Sequence, residues 1–293
     1  MKHLLYRPYR RDIPEMGYIK TEKLPLRRKI GNVHGAAGGE LIMLGYSELS
    51  RRSLRPQSGT VVHLFSIMTN IFDALFERNL RLGASLDWEV LFHEPALQQY
   101  WSYFEAFLAL YGRKDAVLAQ FEQYVQAGYV QHVANLKRGL NLSYEEVLRQ
   151  VAYDSADYIR VMMDLIVLFN AYPLEPQIQT RYYSLGMLIK HADDLADLEY
   201  DMANRAPNPM LALLPSFPDE AERVYDSVRA GKKRDKRWWL AGAPQAFGTY
   251  MGRMARYRAG LNSQYLGELC DLLELTIVLG IGGERVFPPV HAD

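Results

Sequence analysis

An all-α fold is predicted for this chain on three observations. Apolar residues recur at steps of three and four through most of its length. A capping box marks a helix start at Ser143. No stretch alternates apolar with polar residues for long enough to make a strand, and no Asn-Gly or Asp-Gly pair separates two apolar runs.

In chain order, residues 1–25 carry Pro8, Pro14 and Pro25 and read as an irregular arm. A helix is expected over 26–50, crowded by Gly31, Gly35, Gly38 and Gly39. Glycine weakens a helix interior by about 1 kcal/mol relative to alanine, so this density marks close backbone packing or a break. Val61, Leu64, Phe65, Met68, Ile71, Phe72, Leu75 and Phe76 give a clean helical period over 60–80, and Leu97–Leu110 and Val117–Val133 follow. Ser143 with Glu146 three residues on opens a helix that reaches Tyr153 and resumes to Tyr172, where Pro173 and Pro176 stop it. Gln177–Met202 is the next long helix, ended by Pro207 and Pro209. Ser216–Asp219 starts another, 242–248 reads as a loop, and a final helix pair ends near Gly280 before the tail 286–293. The reading is eight to ten helices in one bundle, with a single domain over 26–285.

Composition narrows the function. The chain has 293 residues, with 34 Lys+Arg against 34 Asp+Glu, so no global field favours a nucleic acid. The charge is local: residues 1–29 and Lys232–Arg237 are basic, and the acidic clusters lie between them. A single cysteine, Cys270, sits in an apolar run, reads as core, and suits the reducing cytoplasm. No signal peptide is visible, and the longest apolar stretch, Val161–Phe169, is interrupted by Asp164 and too short to span a bilayer. This leaves room for peripheral membrane contact and for a homodimer. Zinc is not expected, because neither His-Glu-x-x-His nor paired cysteines occur.

The chemistry lies in two acidic clusters. Asp193, Asp197 and Asp201 stand four residues apart, and each advances about 40° round a helix, so they form one stripe. Like charges so placed oppose the helix by a few tenths of a kcal/mol per pair. No lysine intervenes between them, and the flanks are apolar or aromatic. Hard oxygens clustered in this way suit Mg²⁺, which takes a few carboxylates while phosphates fill its other positions. The alternative is a solvated acidic face. Asn70, Asp73 and Glu77, at i, i+3 and i+7, form a second oxygen-bearing face, which could equally be the polar edge of an amphipathic helix.

Together the clusters resemble those of the isoprenoid synthases, and more specifically the large class I terpene synthases related to tetraprenyl-β-curcumene synthase. Asn70, Asp73, Glu77 and Arg78 match a first motif of Asp-x-x-Asp-x-x-x-Asp-Arg type, with an amide in the leading position and Glu in the third acidic one. Asp193, Asp197 and Asp201, with Asn208 beyond a short turn, match the second. His34–Gly39, Leu136-Lys137-Arg138 and Asp87–His93 are looser similarities over roughly 25–265.

The resemblance implies an isoprenoid-synthase bundle in which the two acidic faces meet across an apolar pocket. It implies two or three Mg²⁺ ions held by Asn70, Asp73, Glu77, Asp193, Asp197 and Asp201, and a linear prenyl diphosphate that ionises and releases diphosphate to give a cyclic or linear terpene. Asp73, Asp193, Asp197 and Arg78 are the expected catalytic group. Arg78, Lys137, Arg138, Arg181, Lys190 and Arg205 are candidate diphosphate donors, and Phe72, Phe76 and Tyr183 candidate pocket walls whose quadrupoles suit a carbocation. His34 and His191 are candidate bases, or packing histidines. The competing readings are a prenyltransferase on the same fold and a catalytically inactive isoprenoid-binding scaffold.

Overall fold

The computed structural model describes residues 39, 42–82, 87–138, 142–196, 198–204, 207–230 and 236–271. Of the described residues 86% are helical and none is in a strand, which excludes a sheet-based architecture for them. Their contacts divide them into two compact units: one holds the described residues up to Val133 together with Val161–Gln179, and the other Ala134–Arg160 and Thr180 onward.

The first unit contains helices α1 (42–50), α2 (Ser58–Leu82), α3 (Trp88–Phe92), α4 (Pro95–Leu110) and the start of α5 (Lys114–Arg138). Its portion of α7 (Tyr158–Phe169) packs with them. The predicted period of α2 is realised: Val61, Leu64, Phe65, Met68, Phe72, Leu75 and Phe76 are all buried, and α2 packs against α4. Edge and stacked aromatic contacts organise this core, with Phe121 at 5.4 Å from both Phe65 and Trp101, and Phe107 at 5.6 Å from Phe169. Gly39, the one described member of the glycine-rich segment, abuts Val62, which fits the close packing expected of it. The other three glycines lie outside the described residues.

Helix α7 ends at Phe169, three residues before the predicted stop at Tyr172. Asn170 turns its side chain back, donating to Ile166 O at 2.7 Å and Ser58 Oγ at 2.8 Å and accepting from Arg55 N at 2.8 Å, and Ala171 adopts a left-handed φ of 60°. The prolines follow this turn and do not cause it. Asp164, which interrupts the apolar run, is fully buried and accepts from Gln179 at 2.9 Å.

The second unit begins with α6 (Tyr144–Val151), whose capping box forms as expected: Ser143 N donates to the Glu146 carboxylate at 2.8 Å and Glu146 N to Ser143 Oγ at 3.4 Å. The break placed near Tyr153 is a π-helical segment, Ala152–Asp157, that joins α6 to α7. It follows α8 (Pro176–Ala196) so closely that Ser155 Oγ donates to Gly186 O at 3.0 Å. Next come α9 (Leu198–Asn204), α10 (Pro209–Leu213) with a 3₁₀ turn at Leu214–Ser216, α11 (Pro218–Arg229), α12 (Lys236–Gly242), α13 (Pro244–Leu261) and α14 (264–271).

The loop expected at 242–248 is corrected. Only Ala243 separates α12 from α13, and Gly248 lies inside the helix. Pro244 at the first helical position fits the start, and the buried Glu220 of α11 caps it from outside, accepting from Gln245 N at 2.8 Å and Ala246 N at 2.9 Å. That cap comes from 25 residues away, so the local sequence does not announce it.

Helices α8 and α13 run antiparallel. Gly260 meets Ser184 near one end of the contact, and Tyr250 meets His191 near the other. No helix among the described residues is long and apolar enough to cross a membrane.

Candidate acidic site

The second acidic cluster belongs to the second unit, at the end of α8 and in α9. Met187, His191, Asp194 and Leu198, spaced four, three and four, form the buried stripe of this region. Asp193 falls beside the stripe and is 46% exposed at its side chain. The burial therefore singles out Asp194, which the sequence reading passed over for its neighbour. The alternation with Met187 and Leu198 was the available clue.

The cluster is not free of lysine. Lys190 stands three residues before Asp193 and four before Asp194, and its Nζ donates to Asp193 Oδ2 at 3.0 Å and to Asp194 Oδ1 at 2.8 Å. Such spacings bring side chains together on one helix face. No lysine lies between the carboxylates, as the sequence shows, and the compensating cation sits one turn upstream. Burial alone would lower the Lys190 pKa, but the two carboxylates outweigh it and hold the amine above its ordinary range. Burial pushes the Asp194 carboxyl up to about 7, with Lys190 opposing the rise. Asp194 Oδ2 is buried without a hydrogen-bond partner.

Asn208 ties the cluster together. Its amide donates to Asp194 O at 2.7 Å and to Asp201 Oδ2 at 2.8 Å, and its carbonyl accepts from Met210 N at 2.9 Å and Leu211 N at 3.4 Å. A buried amide using both donors and both lone pairs is held in one orientation. Asn208 thus caps α10 and fixes the Asp201 carboxylate at once.

His191 lies under this face, wholly buried. Its Nδ1 donates to Met187 O at 2.8 Å, which places the ring proton there, and Nε2 has no partner. The ring stacks on Tyr250 at 5.2 Å, and the Tyr250 hydroxyl donates to His191 O at 2.6 Å. Burial lowers the imidazole pKa to about 4, so the ring is neutral at pH 7.

Of the first cluster, Asn70 is partly buried on α2. The side chains of Asp73 and Glu77 lie outside the described residues, as do those of Lys137 and Arg138 and the whole of His34, Asp197 and Arg205. Arg78 is exposed and donates to the Glu94 carboxylate at 2.6 Å and Asn79 Oδ1 at 3.1 Å. Phe72 and Phe76 are buried, the former 5.7 Å from Trp88. Arg181 is partly exposed on α8, and Tyr183 packs against the small core of Val147, Val151, Ala156 and Met187.

Comparison with protein-family models, with curated proteins and with solved structures gives no match. Among the described residues no three His, Cys, Asp or Glu side chains converge as a metal-binding group. The donors of the described acidic face are carboxylate oxygens, and Lys190 already pairs with Asp193 and Asp194. Asp193 is half-exposed, Asp201 is oriented by Asn208, Asp194 carries an unpartnered oxygen, and no sulfur or imidazole nitrogen competes in this set.

Proposed function

We propose that this chain is a class I terpene synthase that ionises a linear prenyl diphosphate and releases diphosphate. The observation that carries this reading is the acidic face itself: Lys190 pairs with Asp193 and Asp194 at the end of α8, and Asn208 donates to the Asp201 carboxylate on α9. Asp193, Asp197 and Asp201 would hold Mg²⁺, with Asn70, Asp73 and Glu77 as the second set. When bound, Mg²⁺ neutralises the diphosphate as the carbon–oxygen bond breaks.

The residues of the chain do the rest. Asn208 keeps Asp201 from rotating, so the carboxylate meets its ligand preorganised. Lys190 would supply positive charge beside the leaving group. Tyr183 would offer an aromatic face to the cation and help exclude water that would quench it.

One observation favours the inactive-scaffold reading: Lys190 already forms ion pairs with Asp193 and Asp194. The three readings separate on one experiment. Purified protein is incubated with Mg²⁺ and prenyl diphosphates of increasing length. The synthase reading requires diphosphate release with a terpene product, the prenyltransferase reading a longer prenyl diphosphate, and the scaffold reading binding without release.

A further inference from the structure

Helix α2 buries two different faces. Val61, Leu64, Phe65, Met68 and Phe72 form the apolar one, with Phe65 at 5.4 Å from Phe121 and 5.8 Å from Tyr124, and Phe72 at 5.7 Å from Trp88. At about 100° per residue, positions 63, 66, 70, 73 and 77 fall within about 80° of one another, on a stripe centred about 160° round the helix from that face. His63 is 5% exposed and Ser66 1%, and Asn70 is partly buried. The stripe that bears the first cluster is thus continued, one and two turns before Asn70, by a buried hydroxyl and a buried imidazole.

Beyond its diphosphate a prenyl chain is hydrocarbon, and packing it calls for neither group. Burying them costs free energy unless polar partners meet them. His63 and Ser66 stand three residues apart, which sets their Cβ atoms about 5–6 Å from each other on one helix face, a spacing that a single water molecule bridges. A serine hydroxyl both donates and accepts, and a neutral imidazole offers one donor and one acceptor nitrogen, which suits the roughly three hydrogen bonds of a buried water. Burial lowers the His63 pKa to about 4, so the ring is neutral at pH 7. At about 1.5 Å per residue, His63 lies about 10 Å along α2 from Asn70 and about 15 Å from position 73, far from the carbon–oxygen bond that breaks.

We propose that His63 and Ser66 hold one water molecule on the buried polar stripe of α2, and that this water captures the final carbocation, so that the product is a terpene alcohol. The idea rests on reading the chain as a terpene synthase. The water oxygen forms the new bond to the cationic carbon. The resulting oxonium, a far stronger acid than an imidazolium, passes one proton to the unprotonated ring nitrogen of His63, leaving a neutral alcohol and an imidazolium that returns the proton to solvent. Bulk water stays out, and one molecule in a fixed place gives one product.

The test incubates the full chain with Mg²⁺ and linear prenyl diphosphates in heavy-oxygen water and analyses the products by mass spectrometry, for wild type, His63→Phe, His63→Gln and Ser66→Ala. Wild type should give a terpene alcohol that carries the heavy oxygen and is absent from protein-free controls. In His63→Phe the ratio of alcohol to hydrocarbon should fall about ten-fold or more, because a positioned proton acceptor is lost. The ratio is set after ionisation, so a merely structural loss of turnover does not move it. Where His63→Phe fails to fold by circular dichroism, His63→Gln and Ser66→Ala, the smaller changes, serve in its place, and both should lower the ratio. A wild type that releases diphosphate and yields only hydrocarbon, or an alcohol share unchanged in the folded variants, overturns the captured water and leaves the synthase reading intact. A wild type that releases no diphosphate overturns both.

Discussion

Replacing Gly186 with alanine tests the tightest backbone contact described in the second unit. A Cβ there would stand 2.5 Å from Ala156 Cα, 2.7 Å from Ser155 O and 3.0 Å from Ala156 N. All three are backbone atoms of the π segment, so no rotamer change relieves the clash. Carbon atoms in contact prefer about 3.5–4.0 Å, so α8 and the π segment must part by roughly 1 Å. Overpacking of this kind costs about 1–3 kcal/mol. The separation also strains the Ser155 Oγ to Gly186 O hydrogen bond, worth about 1 kcal/mol. Against this, alanine gains about 1 kcal/mol over glycine in a helix interior. The net expectation is a loss of about 1–3 kcal/mol. Urea unfolding followed by circular dichroism measures it, with Gly248→Ala as the control. Gly248 also lies inside a helix, but a Cβ there would meet nothing within 4 Å, so the same substitution should stabilise by up to about 1 kcal/mol. A Gly186→Ala protein as stable as wild type, or a matching sign at both sites, would refute the packing of α8 on the π segment.

Three further outcomes are expected. Asn208→Ala removes a helix cap and two donors at once, so stability should fall by about 2–3 kcal/mol in the same unfolding assay, and turnover should fall with it as Asp201 loses its restraint. Burial lowers the His63 pKa to about 4 from its ordinary 6.5. The unfolded chain therefore binds more protons between those values, and the contribution of neutral His63 is complete above pH 6.5 and is lost as pH falls toward 4, to about 3 kcal/mol. Unfolding at pH 7 and pH 4.5, compared with His63→Gln, should show a shallower slope in the variant. Asp197→Ala should abolish product formation while far-ultraviolet circular dichroism stays native; a folded variant with near wild-type activity would exclude Asp197 as a ligand.

The helical class was legible because it rests on local periods. Val61 to Phe76 on α2 and the Ser143–Glu146 capping box announce themselves within one or two turns. Features set by distant partners were not legible. The start of α13 depends on Glu220, and the end of α7 on Asn170 reaching Ser58, 112 residues away in sequence. The π segment depends on a backbone approach at Gly186 that a lone glycine in a helical run does not disclose. At the acidic face the residue types were plain and the partners were not. Spacing alone places Asp193 with Asp197 and Asp201, whereas burial places Asp194 on the stripe through His191, and Lys190, a candidate diphosphate donor by sequence, pairs with both Asp193 and Asp194. Asn208 was noticed as a motif position, but its four hydrogen bonds belong to the fold.

The most direct measurement is diphosphate release from linear prenyl diphosphates of graded length, with purified protein and Mg²⁺, read together with mass-spectrometric analysis of the organic products. The account predicts release for at least one chain length, in step with a cyclic or linear terpene, abolished by chelation of the metal and by Asp197→Ala. Binding of these substrates without release at any length, with Mg²⁺ present and the protein folded, would contradict it.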